Sequence, residues 1–153
     1  MAKIPIKHAI RSGSWLKCEI EDKSFRIRIL AFIKVKLRQI DNPQEIDPKY
    51  DLTAGDLWLL KLEVVNYCKK ALSGYLVKTN ILLLDSDEFE FQELGDFHLE
   101  LNSDFAGKSG LKTFYSIEYI PKIKHSGAFL FFLPRDDSAE YFISLTEGEI
   151  CEV

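Results

Sequence analysis

Apolar and polar residues alternate along much of this chain. From Phe25 to Gln39 the odd positions are Phe25, Ile27, Ile29, Ala31, Ile33, Val35, Leu37 and Gln39, whereas Arg26, Arg28, Lys34, Lys36 and Arg38 fall on even ones. A period of two marks a strand with one face on a core and one face wet. No Gly, Pro, Asn or Asp interrupts the run. The pattern therefore predicts one long strand, or two joined by a bulge that lets the chain cross between sheets, in preference to a tight hairpin. Upstream, Leu16, Cys18 and Ile20 share one parity and predict another strand, with Glu21-Asp22-Lys23-Ser24 as the turn between the two.

Residues 41–56, with two Pro and a Gly among several Asp, form the longest loop candidate. The run that follows, Leu57 to Asn66, is apolar on most positions of both faces, as expected of a strand central in its sheet. Gly74 breaks the chain before a predicted strand over Tyr75–Leu84. Asp85-Ser86-Asp87 then turns it into Glu88–Gln92, where Phe89 and Phe91 alternate with polar residues. Leu94–Leu101 and Gly107–Ile120 add short extended pieces. Ser126-Gly127 opens an apolar run, Ala128–Leu133, which Pro134 terminates because it cannot donate a ladder hydrogen bond. After Arg135-Asp136-Asp137, Glu140–Leu145 forms the last strand. No segment makes a convincing helix; Asp51-Leu-Thr-Ala could begin a single helical turn at most.

Seven to nine short strands at even spacing predict an all-β, antiparallel sandwich. Its core is expected over residues 14–146, with short extensions at both ends of a single 1–153 domain. Ile27, Ile29, Val35, Leu60, Leu62, Val64, Phe129, Phe131 and Phe142 are the expected core residues. Composition agrees: 153 residues bury about 70% of the unfolded surface on folding, and 46% hydrophobic with 29% charged residues disfavours both disorder and a membrane span. Eleven Phe and six Tyr beside one Met tilt the chain toward sheet.

Three pieces in order carry a resemblance: Gly55-Asp-Leu-Trp-Leu-Leu-Lys-Leu-Glu-Val-Val-Asn66, Leu82-Leu-Leu-Asp-Ser-Asp-Glu-Phe89, and Ser126-Gly-Ala-Phe-Leu-Phe-Phe-Leu-Pro134 with Ala139-Glu-Tyr-Phe-Ile143. Over residues 25–146 they resemble the bacterial immunoglobulin-like domain-of-unknown-function family whose members are often mislabelled after telomeric repeat-binding factor two. That pattern has a Gly-led central strand ending in Asn, a Leu-x-Asp-x-x-Gly turn followed by an aromatic, and a Gly-led strand ending in Phe-x-x-Pro before a Tyr-containing last strand. Glu88 stands where the family has its turn Gly. The lipid-anchor or signal segment and Ser/Thr-rich linker of the family have no counterpart in this sequence. The resemblance implies an immunoglobulin-like sandwich with no known catalytic residue, and a secreted or cell-envelope location if a leader has been removed.

Charge is polarised along the chain. Residues 1–40 hold ten Lys plus Arg against three acids, and residues 41–153 hold ten against 21. Eight acids between Asp85 and Asp104 have no Lys or Arg among them. If the period of the long strand is unbroken, Arg26, Arg28, Leu30, Phe32, Lys34, Lys36 and Arg38 share one face, an apolar pair flanked by cations. Such a face is either covered by acidic residues of the same chain or open as a contact surface.

Catalytic and metal signatures are missing from the sequence. His8, His98 and His125 are isolated, and no nucleophile elbow, phosphate loop or paired-His zinc motif occurs. Asp85, Asp87 and Glu88 place three carboxylates on one turn, a weak calcium candidate whose bland reading is a solvated β-turn. No cofactor is expected. Cys18, Cys68 and Cys151 form no Cys-x-x-Cys pair and read as free thiols, the alternative being a bridge from Cys18 to Cys68 or Cys151. No secretory signal is encoded, which makes the cytoplasm the default expectation. The leading function is a non-enzymatic interaction or structural module with a protein partner, a second copy of the chain among the candidates. The alternative is a binder of anionic polymer, nucleic acid or membrane surface, through the basic N-terminal strand. Nucleic acid is disfavoured by the net charge of −4.

Overall fold

In the computed structural model, which describes residues 2–36, 53–94 and 118–153, the alternating pattern resolves into an all-β sandwich. The elements are β1 (Ile4–Pro5), α1 (Ile6–Ser12), β2 (Leu16–Ile20), β3 (Lys23–Val35), β4 (Gly55–Asn66), β5 (Leu72–Ser73), α2 (Gly74–Asn80), β6 (Ile81–Asp85), β7 (Glu90–Phe91), β8 (Glu118–Tyr119), β9 (Lys124–Pro134), β10 (Tyr141–Leu145) and β11 (Glu149–Glu152). A five-stranded sheet runs β11-β2-β3-β4-β9 and a four-stranded sheet runs β1-β10-β6-β7, every neighbouring pair antiparallel. β5 and β8 form a separate two-stranded ladder.

The core lies between the two larger sheets. Ile27, Ile29, Leu60, Leu62, Val64, Phe129 and Phe131 meet Leu83, Ile143 and Leu145 of the opposite sheet, as alternation of side chains across each strand requires. β4 is central and buried on both faces. Its even residues enter this core, while Leu57 and Leu59 are buried on the other side of the sheet.

Several expectations are corrected. Tyr75–Leu84 is not one strand: Gly74–Asn80 is a helix and the strand begins at Ile81. The local signal is Ser73, whose hydroxyl accepts the Tyr75 N–H at 3.2 Å as an N-cap. A second helix, α1, buries Ile6 and Ala9 and closes with Gly13 at φ 63°, whose N–H returns to the Ala9 carbonyl. The sandwich also extends beyond residues 14–146, because Ile6 and Ile150 both join the core.

Phe142 is half-buried and faces away from the core, with the Lys3 ammonium 4.5 Å from its ring; Ile143 and Leu145 point inward instead. Of the loop candidate at 41–56, residues 41–52 lie outside the described residues, and Gly55 and Asp56 already belong to β4. The extended pieces at 94–101 and 107–120 likewise fall mostly outside them. All three cysteines are free: Cys18 buried, Cys68 half-buried, Cys151 exposed.

Between β10 and β11 the chain passes from one sheet to the other through a short turn. Gly148 makes this crossing at φ 102°, and a Cβ there would sit 2.0 Å from the Glu19 carbonyl oxygen.

Candidate functional site

The long N-terminal strand is the sequence's own site candidate, and a bulge divides it. β3 pairs with β4 in one register up to Ile29–Leu62 and resumes at Ala31–Lys61, so Leu30 is the extra residue. A bulge adds one residue to one strand, and every side chain beyond it changes face. Arg26 and Arg28 therefore point away from the core, whereas Phe32 packs against it opposite Leu60. The same flip carries Val35 out of the inter-sheet core, although it stays buried. The seven residues from Arg26 to Arg38 do not form one face. Arg38 lies outside the described residues.

The basic residues of this strand have partners on their own sheet. Arg28 donates from Nε to Glu63 at 2.9 Å and from Nη2 as well, while its guanidinium lies 4.8 Å from the Trp15 ring. Lys124 reaches the other Glu63 oxygen at 3.0 Å. Burial opposes ionisation of Glu63, but hydrogen bonds from Arg28 and Lys124 outweigh it and hold the carboxyl below the usual range. Arg26 stacks on Tyr67 at 4.6 Å and Lys34 pairs with Asp56 at 3.4 Å. Internal neutralisation thus accounts for Arg28 and Lys34, whereas Arg26 rests on an aromatic face. The acids that supply it, Asp56 and Glu63, come from the adjacent strand and not from the acidic segment after Asp85.

At the turn after β6, Asp85, Asp87 and Glu88 do not converge. Asp85 Oδ1 accepts the N–H groups of Asp87 and Phe89, both at 2.9 Å, so this carboxylate shapes the turn. Glu88 reaches away to Lys3 at 3.6 Å. Its φ of 64° lies in the left-handed region, where glycine is the least strained residue. Among the described residues no group of three or more His, Cys, Asp or Glu could hold a metal ion.

The flip at the bulge builds a site that alternation alone does not show. Phe32, brought inward, stacks on Trp58 of β4 with centroids 4.9 Å apart, and Tyr141 of β10 meets Phe32 edge-on at 5.8 Å. These three rings line a pocket of about 290 Å³ at the end of the sandwich where β3 leaves and β10 begins. Ile6, Lys7 and Ile10 of α1 form one wall; Asp136 and Asp137 of the β9–β10 loop form the rim. Arg135 anchors that loop, donating to the Asp56 carboxylate and to the carbonyls of Thr53 and Gly55.

The rim of the pocket is acidic. Ser138 donates its hydroxyl and its N–H to Asp136 Oδ1, which holds this carboxyl below its ordinary value. Burial, followed by the negative charges of Asp136 and Asp85, pushes the Tyr141 hydroxyl up. The single cation in the lining is Lys7, and none of the lining residues is Ser, Thr, Cys or His.

No family model matches the chain, and no curated protein or solved structure resembles it detectably.

Proposed function

We propose that the protein is a non-enzymatic interaction module whose aromatic pocket takes a basic side chain from a protein partner. The observation that carries this reading is the combination of Phe32, Trp58 and Tyr141 with Asp136 and Asp137 around one small opening. Aromatic faces attract cations through their quadrupole, and carboxylates at the mouth raise the local concentration of positive charge. The protein already makes a contact of this kind, since the Lys34 ammonium lies 5.8 Å from the Trp58 ring. A volume of about 290 Å³ suits a single side chain better than a large ligand. An immunoglobulin-like module that presents one end of a sandwich to a partner also fits the resemblance noted in the sequence.

Trp58 fluorescence tests the reading in a Trp15→Phe background. The probes are short glycine-flanked peptides carrying lysine, trimethyl-lysine, arginine or norleucine at the centre. The cationic peptides should bind roughly two- to thirty-fold tighter than norleucine, the range a cation–π contact supplies. Asp137→Asn should weaken only the cationic ones. Equal binding of norleucine, or indifference to Asp137→Asn, would refute it.

A further inference from the structure

The opposite end of the sandwich carries a different surface. Three loops meet there, and one fully buried side chain ties two of them together. Asn66, at the end of β4, donates from Nδ2 to the Lys70 and Tyr119 carbonyls at 2.9 and 2.8 Å, and its Oδ1 accepts the Cys68 N–H at 2.7 Å. Its backbone carbonyl accepts the Lys122 N–H at 2.9 Å. The β4–β5 loop is further joined to the start of β3, where the Tyr67 N–H donates to Ser24 and the Ser24 N–H to Cys68 Sγ. This end is a fixed platform.

What the platform displays is apolar at its tips and basic around them. Tyr67, Ile120 and Ile123 are about half exposed, at 52%, 55% and 48%, three of the seven exposed large apolar side chains among the described residues. The isoleucines bracket a turn in which Pro121 takes the second position and Lys122 the third, with the Ile123 N–H closing on the Ile120 carbonyl at 3.3 Å. Lys122 has φ 70°, the left-handed conformation that a type II turn demands and that glycine would adopt at lower cost. A lysine in that conformation carries a local backbone cost, and the bond from its N–H to Asn66 holds it there between the two outward isoleucines.

Lys69, Lys70 and Lys122 are exposed and form no ion pair among the described residues. Lys69 and Lys70 line, with Lys23 and Tyr67, an open cleft of about 570 Å³. Asp22 lines the same cleft, paired with Lys23, and Glu21 and Glu118 are exposed near it.

We infer that this end docks onto an anionic membrane surface. A convex tip of two isoleucines needs no complementary hollow if the partner is a bilayer, whose interface yields to accept it. Tyrosine and lysine are the residues that sit where acyl chains meet headgroups, the lysines keeping their ammonium groups at the phosphates while their stems bury. The cleft between Lys69, Lys70 and Tyr67 offers one headgroup a seat beside the inserted tip. An acidic protein would match the charge but would leave the isoleucines without a specified cover.

Flotation with phosphatidylcholine vesicles, with and without phosphatidylserine, tests this on the full chain. Binding should require phosphatidylserine and fall as salt rises. Ile123→Asp should abolish it, and each of Lys69→Gln, Lys70→Gln and Lys122→Gln should weaken it about fivefold. All four side chains are exposed, so near-ultraviolet circular dichroism should show the folded state unchanged. Glu140→Gln, an exposed position at the other end, should bind as the wild type does. Absence of binding to phosphatidylserine vesicles, or binding that survives Ile123→Asp, overturns the inference. Capture of polyglutamate without vesicle binding also overturns it, and would assign the end to an acidic protein. Full displacement by soluble glycerophosphoserine would reduce it to an anion site without membrane insertion, and so overturn it as well.

Discussion

The substitution Glu63→Gln keeps the shape of a side chain that is only 9% exposed and removes its charge. In the folded state the carboxylate accepts from Arg28 at 2.9 Å and is paired with Lys124 at 3.0 Å. Hydrogen bonds to charged groups contribute about 1.5–3 kcal/mol each, and breaking one member of a buried ion pair costs about 3–5 kcal/mol. Both cations here retain water, with Arg28 33% and Lys124 53% exposed, and the glutamine oxygen can still accept one bond. The expected loss is therefore about 1–3 kcal/mol. Urea denaturation at neutral pH measures it, and the cycle with Arg28→Gln should give a coupling of about 1 kcal/mol.

The pH dependence follows from the direction of the Glu63 shift. Its folded pKa lies below the unfolded value, so the stabilisation is complete above roughly pH 5 and is lost as the carboxyl protonates on descent toward the depressed folded value. The gap between wild type and Glu63→Gln should be widest near neutrality and close on acidification. A gap below about 0.5 kcal/mol at neutral pH, or one unchanged down to pH 3, would refute the argument.

Three further outcomes are expected. Phe131→Ala should cost about 3–5 kcal/mol in denaturant melts, because the ring is 2% exposed in the inter-sheet core; a loss under about 1 kcal/mol would mean the inward parity of β9 is wrong. Gly148→Ala should destabilise by roughly 3 kcal/mol, since a Cβ there meets the Glu19 carbonyl at a φ that side chains avoid; an unchanged midpoint would contradict the crossing from β10 to β11. Millimolar calcium should leave the melting temperature unchanged, because the Asp85 carboxylate already caps its own turn; a rise of several degrees abolished by Asp87→Asn would restore the metal reading.

Much of the fold was legible in single segments. Leu60, Leu62 and Val64 share one parity of their strand and Phe129 and Phe131 share one parity of theirs, so each set keeps to a single face, and both sets lie in the inter-sheet core. The helix at Gly74–Asn80 was not legible in that way. Seven residues hold barely two turns, too few to separate a helical period from an apolar strand start, and packing of Val77 decides the matter. Phe142 failed for a related reason: in Tyr-Phe-Ile-Ser-Leu each parity carries an aromatic residue, and pairing with β6 places Ile143 and Leu145 inward.

The sequence by itself determined an all-β chain, its central strand and most of the residues between the sheets, because alternation is a local property of the backbone. It also anticipated that a bulge could interrupt the long strand. Where the extra residue falls, at Leu30, is a matter of register against β4, and register exists only once two strands pair. That one residue places Phe32 against Trp58 and Tyr141, leaves Arg28 facing Glu63, and so decides both the pocket and the neutralised basic face. Asn66 is similar, since a strand-ending Asn is unremarkable until its own β4–β5 loop folds back on it and Tyr119, 53 residues on, brings its carbonyl to the buried amide. Tertiary structure decides such features because the interacting groups are set by long-range pairing, on which local hydrophobic pattern places no constraint.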